Sequence, residues 1–289
     1  MTKPAPLTKT ALAKMPLPSI VGSNKNERGR LLLVGGSRNT PGSAAIAATA
    51  AMRSGCGKVT IATVESMAPH VALAMPEALV LGLAETREGA FARSAIKTVT
   101  EEAPEYDAVV VGPGMQQSRL SAELAGGLLR LNLDRLVLDA AMLHALPAFD
   151  AAARKAATPI LLPHNLEMAA LLECEPAEVD ADPLGCGVEC AARYGALTLV
   201  KGPQSHIVHP DGRAWKYVGG GPGLGVSGSG DTLAGILGGL LARGADPLTG
   251  LLWAVWLHGT AGAALSRKIG KVGFLAREIP GEIPALLPG

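Results

Sequence analysis

A glycine-rich segment late in the chain carries the clearest chemistry. Residues 219–230 read GGGPGLGVSGSG, with seven glycines in twelve positions, and Asp231 and an apolar helical pattern follow directly. Glycine at this density is typical of backbone that approaches a ligand closely or adopts positive φ. A helix start offers free N–H groups and the positive end of a dipole, so Gly228, Ser229 and Gly230 can present amides to a phosphate. We predict an anion hole that stabilises the charge developing in phosphoryl transfer.

Asp231, at the start of the same helix, has two candidate roles. An isolated aspartate in this place serves as a helix cap. Beside an anion hole, its carboxylate can instead accept the proton of an attacking hydroxyl, and the loose transition state of phosphoryl transfer asks little basicity of it. The dense glycine loop favours the general base.

Two common nucleotide-binding motifs do not fit the chain. A P-loop requires Lys-Ser or Lys-Thr after its last glycine, whereas Asp231 and Thr232 follow Gly230. Neither Gly35-Gly36 nor Gly112-x-Gly114 completes the glycine fingerprint of dinucleotide-binding folds, and the expected acidic partner is also missing. P-loop NTPases and Rossmann-type dinucleotide binding are therefore disfavoured.

Seven short apolar runs predict strands that are buried on both faces of a sheet. Helical patterns rich in alanine and leucine lie between several of them, which predicts an α/β fold with a mainly parallel sheet and helices on both sides. A turn signal at Pro210-Asp211-Gly212 predicts a β-hairpin over 206–218. The predicted strands are Leu31–Val34, Val59–Val64, Ala78–Leu83, Ala108–Val111, Leu136–Leu138, Ile160–Leu162 and Leu197–Val200, and the predicted helices are Ala44–Ser54, Ser118–Leu131, Leu166–Glu173, Val188–Tyr194, Thr232–Ala242 and Pro247–Leu265.

Four of the predicted strands end in residues that suit a binding site. These turns are Gly35-Gly36-Ser37, Gly112-Pro113-Gly114, Asp139 and Pro163-His164-Asn165. Ligands of open α/β sheets bind beyond the carboxyl ends of the strands, so we expect the four turns to share one cleft.

Composition and charge indicate the number of domains and argue against several other functions. A chain of 289 residues with 48% hydrophobic content suits one domain, with residues 1–20 as a flexible or helical N-terminal extension. Lys+Arg (26) and Asp+Glu (25) nearly cancel and aromatics are 3%, which argues against nucleic-acid binding. We expect no membrane span, no secretory signal and a soluble, cytoplasmic protein. The four cysteines are expected to be reduced, with Cys186 and Cys190 packed on one helix.

The sequence alone leaves two interpretations open for several polar residues. His164 can cap a turn or contact a ligand, and His258, inside an apolar helix, is more typical of a packing histidine. Lys201 can end a strand in solvent or bind a phosphate, the second being slightly favoured. Asp139 can be a turn residue or help to hold a metal-nucleotide.

An ordered set of motifs resembles the ADP-dependent NAD(P)H-hydrate dehydratases of the ribokinase-like group. The resemblance covers residues 25 to 285 approximately, and the order makes it more specific than any single motif. The motifs are Gly29-Arg30, Val34-Gly35-Gly36-Ser37, Pro41-Gly42-Ser43-Ala44, Arg53-x-Gly55-x-Gly57, Val111-Gly112-Pro113-Gly114, Leu138-Asp139-Ala140, Pro163-His164-x-x-Glu167-Met168, Lys201-Gly202, Gly228-Ser229-Gly230-Asp231 and His258-Gly259-x-Ala261-Gly262.

The resemblance implies a three-layer ribokinase-like fold and the repair of hydrated NADH or NADPH. A nucleotide phosphorylates the hydroxyl of the hydrate, and elimination of phosphate restores the double bond. The implied catalytic residues are Asp231 as base and Gly228, Ser229 and Gly230 as anion hole. The implied nucleotide-binding residues are Lys201, Gly202, Pro203, Gln204, Ser205 and Gly230, and the implied substrate-binding residues are Ser43, Gly114, His164, Asn165, Glu167 and Asp231.

ADP or ATP is the implied phosphate donor, and Mg²⁺ is expected because phosphoryl transfer needs a divalent ion to offset phosphate charge, although no motif names its ligands. A homo-oligomer, dimer or tetramer, is expected. Many bacterial members carry an N-terminal epimerase domain for which this chain is too short, so epimerisation is expected on a separate polypeptide as partner or without an enzyme.

The chain departs from the family pattern at three places. Ala141 replaces a second acidic residue, Gly221–Val226 loses two polar side chains, and Leu166 replaces a glycine. Two other functions stay open. One is a vitamin-alcohol kinase of the same fold, and the other is a catalytically silent nucleotide-binding protein.

Overall fold

One sheet organises the computed structural model, which describes residues 3–19, 24–144, 146 and 158–288. Within these residues the strand order is β1-β10-β9-β8-β7-β6-β5-β2-β3-β4. Strands β2 to β8 are mutually parallel, β9 is antiparallel to both of its neighbours, and β1 runs parallel to β10. The strands are β1 Ala5–Pro6, β2 Arg30–Val34, β3 Lys58–Val64, β4 Leu79–Leu83, β5 Ala108–Val111, β6 Leu136–Leu138, β7 Ile160–Leu161, β8 Leu197–Val200, β9 Gln204–Val208 and β10 Ala214–Val218.

Helices cover both faces of the sheet. Alternate residues of each strand point to opposite faces, so Leu31 and Leu33 pack with α2, α9 and α10, while Leu32 and Val34 pack with α4, α5, α6 and α8. The predicted three-layer α/β/α fold with a mainly parallel sheet is confirmed. The helices are α1 Lys9–Leu12, α2 Pro41–Arg53, α3 Ala68–Ala74, α4 Arg93–Glu102, α5 Arg119–Arg130, α6 Asn165–Leu172, α7 Pro176–Ala181, α8 Pro183–Tyr194, α9 Ser229–Ala242, α10 Pro247–Lys268 and α11 Ile279–Leu286.

The chain changes direction across the sheet between β2 and β5. From β2 it adds β3 and β4 on one side, and it then crosses back to place β5 to β8 in order on the other side. The crevice at such a reversal, outside the carboxyl ends of the strands, is where open α/β sheets bind ligands. The loops after β2 and β5 line this crevice.

Small residues allow α2 and α9 to approach closely. A Cβ on Gly239 would lie 2.5 Å from the carbonyl oxygen of Ala51, and Gly235 meets the backbone of Ala47 in the same way. Both helices begin at the carboxyl edge of the sheet. Their close packing therefore brings the first turn of α2 against the first turn of α9.

The apolar helix α10 is part of the core. It is long and apolar enough to cross a bilayer, but 72% of its most apolar window is buried inside the fold, as in the core helix of a soluble protein. The N-terminal segment packs against it, since the Trp253 indole donates a hydrogen bond to the Met15 carbonyl (2.8 Å) and Leu12 is fully buried. Residues 3–19 thus carry structure, including β1 and α1.

The cysteines are free thiols. Cys190 lies on the buried face of α8, where burial raises its pKa to about 12, and burial raises the pKa of Cys56 to about 11. These two groups stay protonated at physiological pH and act as small apolar side chains.

Candidate active site

The glycine-rich segment forms the turn that starts α9. Gly228 is the N-cap with φ 88° and ψ −7°, a left-handed conformation that favours glycine. The Ser229 N–H donates to the Val226 carbonyl (3.1 Å) and so closes the turn. Within the described part of the chain, the N–H groups of Gly228, Gly230 and Asp231 have no acceptor. The free amides are therefore those of Gly228, Gly230 and Asp231, and the predicted Ser229 amide is occupied.

Asp231 lies where the first turns of α2 and α9 meet. Its carboxylate lies near the Ser43 side chain, and α9 has no side-chain cap hydrogen bond. A Cβ on Gly114, whose φ is 65°, would lie 2.5 Å from the Ser43 Cβ, so the loop after β5 touches the same point. Burial raises the pKa of Asp231, and Ser43 and the nearby Lys201 partly oppose that rise. The structure brings Ser43, Gly114 and Asp231 together.

A lysine lies among carboxylates at the ends of β6, β7 and β8. Lys201 Nζ is 2.8 Å from Asp139 Oδ1 and 3.7 Å from Glu167 Oε2, and the side chains are 19%, 2% and 5% exposed in that order. Burial lowers the pKa of Lys201, but Asp139 and Glu167 raise it more, so the net direction is upward and the ammonium stays charged. A Cβ on Gly230 would lie 3.7 Å from the same Nζ. The ammonium therefore stands beside the anion hole and not in solvent.

The first turn of α6 holds Glu167 in this cluster. The His164 N–H donates to Glu167 Oε2 (2.8 Å), and the Glu167 N–H donates to His164 Nδ1 (3.3 Å). His164 Nε2 is 3.3 Å from Glu167 Oε1, so the ring carries its proton on Nε2 when neutral. His164 is the helix cap, and its half-exposed ring still faces the cleft edge.

Asn165 is turned away from this cluster. Its side-chain amide lies 3.3 Å from Asp180 Oδ1 on α7, and its carbonyl oxygen accepts from the Leu166 N–H (2.9 Å). Of the predicted substrate-binding residues, Asn165 is the one that the structure separates from the others.

The predicted nucleotide-binding segment borders the glycine-rich loop. Gly202, Pro203 and Gln204 are exposed, and β9 pairs with β10 so that Ser205 faces Tyr217 and Gln204 faces Val218. The loop begins directly after Val218. Residues 201–205 and 219–221 therefore form one side of the cleft, next to the anion hole.

His258 is a further polar residue in the site. Its Nε2 lies 3.0 Å from Ser229 Oγ, and burial lowers its pKa to about 4. It is a packing histidine, as the apolar helix indicated, but its hydrogen-bond partner belongs to the anion hole. The sequence carries one signal for a special role of this residue, since His258 is the only ionisable residue between Asp246 and Arg267.

Comparison with protein-family models and with curated proteins shows what the chain is similar to. The sequence profile described as NAD(P)H-hydrate dehydratase matches residues 31–285. The ADP-dependent (S)-NAD(P)H-hydrate dehydratase of Xanthomonas campestris pv. campestris is 45% identical over 281 residues, which cover 97% of this chain and 95% of that protein. The chain belongs to the NAD(P)H-hydrate dehydratase family.

Solved structures share the fold of this NAD(P)H-hydrate dehydratase family member. The ADP/ATP-dependent NAD(P)H-hydrate dehydratase of Bacillus subtilis, co-crystallised with ATP/Mg²⁺, superposes with a TM-score of 0.86 at 28% identity and covers 99% of this chain and 98% of that one. A ribokinase-like superfamily protein of Enterococcus faecalis, 24% identical, superposes with a TM-score of 0.79 over 98% of this chain and 94% of that one. The predicted family and ribokinase-like fold are confirmed.

Proposed function

We propose that this dehydratase-family chain converts (S)-NAD(P)H-hydrate to NAD(P)H with consumption of a nucleotide and through a phosphorylated intermediate. The observation that carries the proposal is the placement of Asp231. Its carboxylate lies beside Ser43 at the point where the chain reverses across the sheet, at the end of a turn with three free amides. A base and an anion hole at one point are what phosphoryl transfer to a hydroxyl requires.

The first step joins the substrate hydroxyl to the terminal phosphoryl group. Asp231 accepts the hydroxyl proton, the new O–P bond forms, and the bond to the leaving nucleotide breaks. Negative charge on the transferred group faces the amides of Gly228, Gly230 and Asp231, and the Lys201 ammonium lies next to them. In the second step the C–O bond breaks, phosphate leaves with the bonding electrons, and a proton leaves the neighbouring carbon as the double bond forms.

The nucleotide is ADP or ATP, held between residues 201–205 and the glycine-rich loop. Lys201, Gly202, Pro203, Gln204, Ser205 and Gly230 form this side of the cleft. Of these, Gly230 belongs to the anion hole and Lys201 lies beside it, so both contact the phosphate that is transferred. The exposed residues 202–204 border the rest of the nucleotide.

Mg²⁺ accompanies the nucleotide in this proposal. Among the residues that the structure describes, no three His, Cys, Asp or Glu side chains form a metal-binding group. Mg²⁺ commonly uses one or two carboxylates together with substrate phosphates and waters, and Asp139 and Glu167 can supply these carboxylates. When bound, the ion offsets phosphate charge.

The hydrate occupies the opposite side of Asp231, against Ser43, Gly114, His164 and Glu167. Asn165 joins it only if its amide leaves Asp180. The enzyme acts in the cytoplasm as a dimer or tetramer, and an epimerase on another polypeptide supplies the (S) form. The exposed Leu73 (85%) on α3 and Leu79 (59%) on the edge strand β4 support self-association.

A product balance tests this function against a kinase of the same fold. The protein is incubated with the hydrate, Mg²⁺ and either ADP or ATP, and NAD(P)H, free phosphate and spent nucleotide are measured together. The proposal predicts the three in equal amounts. A phosphorylated product without NAD(P)H would identify a kinase, and nucleotide binding without consumption would identify a silent protein.

A further inference from the structure

Two side chains connect the turn of the anion hole to the core: the Thr232 hydroxyl bonds the carbonyl groups of Gly228 and Ala276, and the Ser229 hydroxyl bonds His258. Ser229 Oγ lies 3.0 Å from His258 Nε2, and the two residues are on the first turn of α9 and the middle of α10. Ser229 itself is buried, and its N–H already donates a hydrogen bond to the Val226 carbonyl. Its hydroxyl is therefore the one polar group of Ser229 that remains to be fixed.

The residues around His258 are apolar, which favours its hydrogen bond to Ser229. The helix on either side of it is apolar, and its neighbours Leu257 and Gly259 are buried. A partly buried imidazole without a partner is unfavourable, so the ring is retained against Ser229. Burial lowers the pKa of His258 to about 4, and the nearby Lys201 ammonium acts in the same direction. The ring is therefore neutral throughout the physiological pH range.

We propose that His258 is a positioning residue for the anion hole. Its neutral ring holds the Ser229 hydroxyl and thereby fixes the turn from Val226 to Asp231, so that the amides of Gly230 and Asp231 keep their direction toward the phosphate. This inference rests on the proposed function, because it assigns His258 to the same site. A neutral ring also adds no charge to the cleft, where Lys201 already supplies the cation.

Preorganised donors stabilise a transition state because they do not have to reorient as charge develops. The Ser229 side chain has three staggered rotamers about its Cα–Cβ bond, and a hydrogen-bond partner selects one of them. His258 selects it from a second helix that is itself rigidly packed. The expected loss without His258 is therefore larger in kcat than in nucleotide affinity.

The test uses four variants of the full chain: His258→Phe, His258→Gln, Ser229→Ala and the double variant His258→Phe/Ser229→Ala. Phe fills the space without a hydrogen bond, whereas Gln can restore one to Ser229. His206→Phe is the matched control, since His206 is a buried histidine on β9 outside the cleft. kcat and KM for ADP come from NADH recovery, ADP affinity from calorimetry, and folding from thermal melts.

His258→Phe and Ser229→Ala are each expected to lower kcat about tenfold, the loss of one ordinary hydrogen bond, with ADP affinity reduced about threefold. The double variant should be no worse than either single one, and His258→Gln should recover most of the loss. His206→Phe should leave kcat unchanged. Multiplying effects in the double variant, or full kcat in a folded His258→Phe, would overturn the proposal.

Failure of the proposed function would look different. In that case the wild-type protein itself would not regenerate NADH, yet the calorimetric coupling between His258 and Ser229 in ADP binding would still be measurable. Additive losses of ADP affinity in these variants would overturn the positioning role independently of the reaction.

Discussion

The Lys201 ammonium and the Asp139 carboxylate form a nearly buried ion pair, with Nζ and Oδ1 2.8 Å apart. The pair spans the ends of β8 and β6, and Glu167 from the start of α6 lies 3.7 Å from the same Nζ. The Lys201 ammonium therefore lies between the carboxylates of Asp139 and Glu167 and the anion hole at Gly230. The pair therefore contributes both to folding and to the charge balance of the cleft.

Lys201→Met should destabilise the protein by about 3 kcal/mol, because it leaves the buried Asp139 carboxylate without a partner. Urea unfolding at pH 7 measures the change. Lys268→Met is the matched control, since Lys268 pairs with Glu282 at 2.7 Å but is 60% exposed. The control should lose less than about 1 kcal/mol. Equal losses in both variants would show that burial of the Lys201 pair has no consequence.

Lys201→Met should also move the acid limb of the pH-rate profile to higher pH. Activity requires the deprotonated base, so it falls as pH falls through the pKa of Asp231. Burial raises that pKa and the Lys201 charge opposes the rise, so removal of the charge raises the pKa further. NADH recovery rates across pH measure the limb. An unchanged limb in a folded Lys201→Met variant would exclude this electrostatic role.

Asp231→Asn should stabilise the fold by a few degrees in thermal melts at neutral pH. The pKa of Asp231 is higher in the folded than in the unfolded state, so folding becomes less favourable as pH rises through that pKa. Asn keeps a hydrogen-bond acceptor for Ser43 and removes the desolvated charge. The gain should shrink as pH falls toward about 4, where an unfolded aspartate is protonated. A lower melting temperature at neutral pH would contradict the prediction.

Gly114→Ala should reduce activity with a rise in KM for the hydrate. Its φ of 65° disfavours any Cβ, and the new methyl would lie 2.5 Å from the Ser43 Cβ, so the loop or Ser43 must move. Gly281→Ala on α11 is the control, because nothing lies within 4 Å of the added methyl there. The control should keep full activity and gain about 0.5 kcal/mol of stability. Unchanged kinetics in Gly114→Ala would show that the loop after β5 lies outside the substrate site.

The central strands were predictable because they are buried on both faces. The run Leu31–Val34 predicts β2, which the structure extends by one residue to Arg30. Helix α4 was missed because only Ala95 and Val99 on it are buried, too thin a stripe to show a helical period. Helix α11 was missed because Pro284 lies inside it.

The site was predictable only where its chemistry is local in the chain. The segment from Gly228 to Asp231 is contiguous, so its glycines and its carboxylate predict an anion hole and a base together. The pairs Lys201–Asp139 and His258–Ser229 join residues 62 and 29 positions apart. Such tertiary hydrogen bonds leave no periodic signal in one sequence, which is why the contacts of Lys201 and His258 required the structure.

The most direct test of the account is nucleotide-dependent recovery of the reduced-nicotinamide absorbance from freshly hydrated NADH, with Mg²⁺ and ADP or ATP. Wild type is compared with Asp231→Asn and with Asp246→Asn, whose side chain caps α10 away from the cleft. The account predicts recovery only with nucleotide, a loss of about 10³-fold in Asp231→Asn that still binds ADP, and no loss in Asp246→Asn. Recovery without nucleotide, or at the wild-type rate in Asp231→Asn, would contradict it.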